Sequence, residues 1–222
     1  MPKLNPTLDL TGLLLTPDDV PRPWSQEALF DQPAPLEIEV GSGKGLFLAN
    51  AAAARPDRNF FGIEIAKKYA RHCAARLAKR GLTNGRMLAG DGLWLFREVL
   101  PDAAADDVHV YFPDPWWKKR HHKRRVLNEE FARNATRVLK PGGRLHFWTD
   151  VHDYYTATLE LLAAVTPLLG PTPLEERDAE HDLDYQTHFE RRTRLAEQPV
   201  YRCIYTKSEE SLAQGAPVDD PA

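Results

Sequence analysis

An aspartate between two prolines, two adjacent tryptophans and a dense basic run share one stretch, Pro113-Asp114-Pro115-Trp116-Trp117-Lys118-Lys119-Arg120-His121-His122-Lys123-Arg124-Arg125. Each part has its own chemistry. The Asp114 carboxylate, in a segment stiffened by prolines, can accept hydrogen bonds or balance a developing positive charge. Trp116 and Trp117 offer flat faces on which a base can stack, or one of them simply packs beneath the loop. From Lys118 to Arg125, six of eight positions are Lys or Arg and the other two are His. Cations at that density repel one another, and a polyanion relieves the repulsion. A basic run alone is equally a solvated loop or a targeting signal. Its position argues for function. The apolar run Val108-His109-Val110-Tyr111-Phe112 precedes it as a buried strand, and open α/β sheets hold their ligands just outside the carboxyl ends of strands.

Three more acids occupy similar positions. Glu39 lies in the strand Leu36–Val40, which runs into Gly41-Ser42-Gly43-Lys44-Gly45 and then a helix marked by Leu46, Phe47, Ala49 and Ala53. A strand, glycine loop and helix in this order lets a nucleotide-like cofactor approach backbone N–H groups, although a glycine loop alone can be just a tight turn. The third glycine comes one residue early for the dinucleotide fingerprint, which points away from NAD. Glu64 ends a second strand, Asn59–Ile65, where a carboxylate can accept the two hydroxyls of an adenosine ribose or sit at the start of a helix. Asp91 ends a third strand, Arg86–Gly90, and suits a cap for a helix over Gly92–Leu100.

The remaining elements fit an α/β pattern. The helix after Glu64 places Ala66, Tyr69, Ala70, Cys73 and Leu77 on one apolar face. Another helix starts at Asn128, buries Phe131, Ala135, Val138 and Leu139, and ends at Lys140-Pro141-Gly142-Gly143. A fifth strand covers Arg144–Trp148, with Thr149 and Asp150 at its end, followed by a helix over His152–Val165 and a last strand over Val200–Thr206. Strands alternating with helices give a mostly parallel sheet covered on both faces. Residues 1–35 form a proline-rich arm with one short helix near Ser25–Phe30; residues 36–207 form the domain; residues 208–222 form a disordered tail poor in apolar residues.

The 222 residues suffice for one α/β domain with a full core. A net charge of −3 makes the basic run a local device. Cys73 and Cys203 are too few for a disulfide framework or a zinc knuckle, and no metal site is expected. No apolar run reaches membrane-spanning length and no secretory signal is evident, so a cytoplasmic location is expected.

The stretch Leu36–Gly45 resembles the first motif of class I S-adenosylmethionine-dependent methyltransferases, and Lys140-Pro141-Gly142-Gly143 resembles their turn before the fifth strand. Pro113–Arg125 is similar to the signature of the bacterial tRNA (guanine-N7)-methyltransferases, and Thr149-Asp150 and Thr187-x-Phe189-Glu190 resemble two later motifs of that family in the same order. The resemblance implies a Rossmann-like sheet of seven strands with the last antiparallel. It implies S-adenosylmethionine at Glu39, Gly41, Gly43, Gly45, Glu64, Asp91 and Asp114, with Asp114 also catalytic. Lys118, Asp150, Thr187, His188, Phe189 and Glu190 match substrate-binding positions. Arg120, His121, His122, Lys123, Arg124 and Arg125 match the RNA-contacting run. Transfer would be to N7 of a guanine in the tRNA variable loop, with no membrane and no obligate protein partner. The rival readings are a methyltransferase for another RNA position and a non-catalytic, cofactor-binding RNA chaperone.

Overall fold

The computed structural model describes residues 8–174 and 187–209, apart from the side chains of Lys119, Lys123 and His188. Among the described residues eight strands form one sheet: β1 (Leu14–Leu15), β2 (Leu36–Val40), β3 (Asn59–Glu64), β4 (Gly85–Ala89), β5 (Ala105–Tyr111), β6 (Leu139–Thr149), β7 (Leu169–Pro173) and β8 (Tyr201–Thr206). Their spatial order is β1-β4-β3-β2-β5-β6-β8-β7. Pairing is parallel except around β8, which runs antiparallel to both β6 and β7. The antiparallel last strand is as expected; the count is eight rather than seven because a two-residue strand of the arm pairs with β4.

From β2 the chain winds outward through α1 (Leu46–Ala54), β3, α2 (Lys67–Lys79) and β4. It then returns to the other side of β2 with β5 and β6, so winding reverses between β2 and β5. At such a reversal the loops at the carboxyl ends of two neighbouring strands part, leaving a crevice. Both the glycine loop and the Asp114 stretch leave the sheet there.

The two faces of the central strands differ. Leu36, Ile38 and Val40 of β2, Val108 and Val110 of β5, and Leu145 and Phe147 of β6 join one apolar core with α4 (Glu129–Val138) and α5 (His152–Val165). A second cluster lies under α1 and α2 and includes Phe47, Leu48, Phe60, Cys73 and Met87. Strand alternation gives the face shared with α1 to Glu37 and Glu39 of β2 and to Asp107, His109 and Tyr111 of β5.

Several expectations need correction. Ser25–Phe30 is a turn rather than a helix, with the Leu29 and Phe30 amides both bonded to the Gln26 carbonyl. The helix expected over Gly92–Leu100 is a short α3 (Gly92–Trp94) continued by a wider turn, Leu95–Val99, in which the Leu100 N–H reaches back to Leu95. Lys140–Gly143 is a bulge inside β6, held by Gly142 N–H to Lys207 O and Lys207 N–H to Gly143 O, both 2.9 Å. The tail beyond Glu209 lies outside the described residues. The arm contributes Leu15, Val20, Leu29 and Phe30 to the core.

Candidate active site

All three loop glycines after β2 take left-handed backbone angles: Gly41 at φ +81°, Gly43 at +52° and Gly45 at +69°. Only glycine does so without strain. Gly45 has a second reason, because a Cβ there would lie 2.1 Å from the Cys73 Sγ of α2. The loop is pinned by Gly41 N–H and Ser42 N–H to the Ile63 carbonyl, and by Gly43 N–H to Glu64 Oε2 at 2.9 Å. The other Glu64 oxygen accepts from the Ala66 N–H at 2.8 Å, at the start of α2. Beside the loop is a cleft of about 340 Å³, lined by Glu39, Gly41, Lys44, Phe47, Tyr69, Tyr111, Phe112, Thr187, Phe189 and Arg192, among others.

Glu39 forms the polar end of this cleft. Its side chain is buried, and Oε2 has no hydrogen-bond partner among the described residues. Burial pushes its carboxyl up to about 8. An orphaned buried acceptor of this kind favours a cationic donor, which would drive off the proton and complete the missing bond. Glu39 rests on a charged layer. Glu37 is bonded to Arg55 and Arg58, and Asp107 to Arg144, His146 and Arg58. His109 lies between, with Nε2 2.9 Å from Glu37 and Nδ1 2.8 Å from the Tyr111 hydroxyl. Burial, together with the charge of His146, pulls His109 down to about 4, so the ring is neutral. With Glu37 accepting from Nε2–H, Nδ1 must accept from Tyr111 O–H. That chain of bonds fixes the Tyr111 ring in the cleft wall.

The Asp114 loop is built differently. Phe112 and Trp116, two residues to either side of Asp114, have φ of +49° and +47°. Neither is glycine, so each conformation costs about 1–2 kcal/mol and persists only where its surroundings impose it. On one side, Phe112 N–H bonds to the Trp148 carbonyl at 2.8 Å, and its ring stacks on Phe189 at 6.3 Å. On the other, the Trp116 ring meets His121 edge-on at 5.8 Å and carries the Arg124 guanidinium at 5.0 Å. Asp114 is exposed. With Pro115, Trp116, Trp117, Lys118 and His121 it lines a basin of about 330 Å³. Trp117 is 72% exposed, so the two indoles differ: Trp116 is tied into the loop and Trp117 is open.

Of the other expected residues, Asp91 is exposed and caps α3 through Leu93 N–H at 2.9 Å. Asp150 and Lys118 are exposed, Asp150 at the end of β6 next to β5. Thr187 and Phe189 border the cleft. Thr187 also caps α6 (His188–Leu195) by accepting from Glu190 N–H at 3.0 Å. Glu190 is buried and paired with Arg202 at 3.1 Å and Arg194 at 3.6 Å; it supports α6 rather than reaching the cleft. Arg120 and Arg124 are exposed, His121 and His122 partly buried, and the Lys123 and His188 side chains lie outside the described residues. The reading from sequence missed Tyr111 and the cleft-facing role of Tyr69, which is 39% exposed. Tyr111 had a signal, since Asp107, His109 and Tyr111 alternate as polar residues along a strand with apolar neighbours.

The residues fit S-adenosylmethionine: a buried carboxylate with one oxygen left unpartnered for its ammonium, a backbone of left-handed glycines open to close approach, aromatic walls, and Glu64 at the second strand end for ribose hydroxyls. Residues 33–203 match the family model described as "Putative methyltransferase". A tRNA (guanine-N(7)-)-methyltransferase of Rhodopirellula baltica is 56% identical over 92% of this chain and 78% of its own length. One of Cupriavidus necator with the same name is 35% identical over 90% of this chain and 76% of its own length. Among solved structures, the 16S rRNA methyltransferase KamB superposes with a TM-score of 0.59 at 20% identity, covering 82% of this chain and 92% of that one. A SAM-dependent O-methyltransferase of Thermotoga maritima gives 0.55 at 18% identity, covering 80% and 60%. The solved structures show the fold, a Rossmann-like methyltransferase sheet, and the match in sequence is far closer: the chain belongs to the tRNA (guanine-N(7)-)-methyltransferase family.

Proposed function

We propose that this protein transfers a methyl group from S-adenosylmethionine to N7 of the variable-loop guanine of tRNA, working in the cytoplasm. The observation that carries the reading is the meeting, at one reversal point of the sheet, of a cofactor-type cleft and the Asp114 loop with its basic run, in a chain 56% identical to a relative of that name. Residues 36–207 would carry the catalytic unit, flanked by the arm and the tail.

When bound, S-adenosylmethionine supplies an electrophilic methyl. Guanine N7 has a free lone pair and no proton, so no side chain needs to act as a general base. The protein's task is to hold N7 in line, and orientation of this kind can supply roughly 7–11 kcal/mol. Positive charge develops on the purine, and the exposed carboxylate of Asp114, in the loop that follows β5, would balance it. Asp150, at the neighbouring strand end, can accept from the guanine N1–H or its amine. Trp117 offers the open stacking face. Arg120, Arg124 and Lys118 supply cations for phosphates, which position RNA without reading bases. Opening the folded tRNA to expose N7 costs a few kcal/mol, which these contacts offset.

The direct test is transfer of labelled methyl to unmodified tRNA transcripts with and without the variable-loop guanine. Label on the first alone is expected. Label on both would discard the target base, and no label with cofactor binding intact would discard catalysis.

A further inference from the structure

The basic run faces two ways. Arg124 is exposed and lies over Trp116. Arg125 turns inward: its Nε donates to the Pro115 carbonyl at 2.8 Å, and its Nη2 is 3.2 Å from His122 Nε2. Its guanidinium lies 4.4 Å over the ring of Tyr154. That ring is a firm platform, because Tyr154 is 1% exposed and its hydroxyl accepts from the Leu127 N–H at 3.4 Å. The Arg125 carbonyl is held as well, by Asn128 Nδ2 at 3.1 Å, and Asn128 in turn caps α4. Arg125 thus ties the Asp114 loop to the α4–α5 layer. Its point of attachment, Pro115, sits between the catalytic candidate and the left-handed Trp116.

We propose that Arg125 is a positioning residue for methyl transfer, fixing the Pro115 carbonyl and through it the stance of Asp114, and is not a phosphate contact. The inference rests on the function proposed above. It departs from the family resemblance, which groups Arg125 with the RNA-contacting run. The chemistry suits arginine. A planar fork can lie flat on a ring while its edge donates to a carbonyl, whereas a lysine ammonium is a compact point charge and cannot do both. A phosphate contact has the opposite tolerance, since charge matters most and lysine substitutes well.

Two substitutions separate these roles. Arg125→Lys keeps the charge and loses the fork; Arg125→Gln loses the charge and keeps an N–H donor that can reach the Pro115 carbonyl. Three kinds of measurement are compared with the wild type: steady-state kinetics on tRNA (kcat and KM), tRNA affinity across a salt series, and hydrogen exchange at the His121 amide, which donates to the Lys118 carbonyl at 2.7 Å in this loop. For Arg125→Lys we expect kcat to fall roughly 10- to 100-fold, as for a reacting group misplaced by about 1 Å. Loop exchange should quicken, while tRNA affinity and its salt slope stay within about twofold of wild type. Arg125→Gln should retain more kcat than Arg125→Lys. The melting temperature and S-adenosylmethionine affinity report folding in both variants. The opposite ranking, with Lys close to wild type and Gln binding tRNA weakly with a flatter salt slope, would overturn the proposal, as would wild-type kcat in both. A wild-type enzyme that fails to methylate tRNA would instead remove the reading on which the proposal rests.

Discussion

The glycine loop and the Asp114 loop leave neighbouring parallel strands and face the same crevice, yet they reach left-handed backbone geometry by opposite means. In the first, Gly41, Gly43 and Gly45 occupy every such position, so the conformation is intrinsic to the segment. In the second, Phe112 and Trp116 occupy them, and the conformation is imposed from outside by the Trp148 carbonyl, Phe189, Arg124 and Arg125. A loop whose left-handed positions are all glycine is strained by any side chain placed there, and registers damage as lost stability. A loop held by its neighbours can lose a chemical group with the fold intact, and registers damage as lost rate. The cofactor region and the transfer region should therefore fail in different assays.

The largest expected effect tests the second half of that contrast. Asp114→Asn should lower kcat by about 10²–10³ through loss of charge stabilisation, with the melting temperature unchanged because Asp114 is exposed. A fall in melting temperature matching the loss of rate would break the comparison. Gly45→Ala tests the first half. Its Cβ would meet Cys73 Sγ at 2.1 Å with φ at +69°, which destabilises by roughly 2–4 kcal/mol. Calorimetry should show melting lowered by roughly 5–15 °C; an unchanged melting temperature would show that α2 moves aside freely.

Glu39 gives a pH signature. Burial holds its native carboxyl near 8, against 4.5 as the ordinary value, so between those values the folded chain keeps a proton that the unfolded chain has released. Stability from this group accordingly falls as pH rises from about 4.5 to 8 and is level above that window. Glu39→Gln removes the slope. In protein without cofactor, the melting temperature of the variant minus that of the wild type should grow from pH 5 to pH 8, while S-adenosylmethionine affinity, measured by calorimetry, drops. A difference that stays flat with pH would mean that Glu39 is already ionised. The smallest effect belongs to the rim: Arg120→Ala, at an exposed position of the basic run, should reduce the salt slope of tRNA binding by about 1 with kcat near wild type.

Much of the frame was open to reading in the sequence because it follows from periodicity. Six strands and the helices at Lys67–Lys79, Glu129–Val138 and His152–Val165 carry apolar residues at the spacing of their structures. Two strands were hidden. Leu14–Leu15 is too short to show a period, and Leu169-Gly170-Pro171-Thr172-Pro173 is made of residues that discourage strands; it pairs as an exposed edge where its prolines are tolerated. At the site, the glycines and the acids at strand ends could be read one by one. What could not be read was direction. Glu190 and Arg125 sit in runs that look functional, and their side chains turn inward to Arg202 and Pro115 because of partners remote in sequence or bends in the loop. The alternating Glu37, Glu39, His109 and Tyr111 were visible as a pattern, but its meaning depends on Arg55 and Arg58, which follow α1, meeting Glu37.

The strand that the arm lays along β4 also bears on how copies of this protein behave toward one another. A bare sheet edge is a row of unpaired N–H and C=O groups, a template for another chain to extend. Leu14 and Leu15 occupy part of that row, beside Met87 and Leu88 of the five-residue β4. At the opposite edge β7 carries prolines at two of its five positions, which have no N–H to offer. Among the described residues the sheet therefore finishes in a two-residue strand on one side and a proline-broken strand on the other, short and interrupted edges that offer a second chain little to pair with.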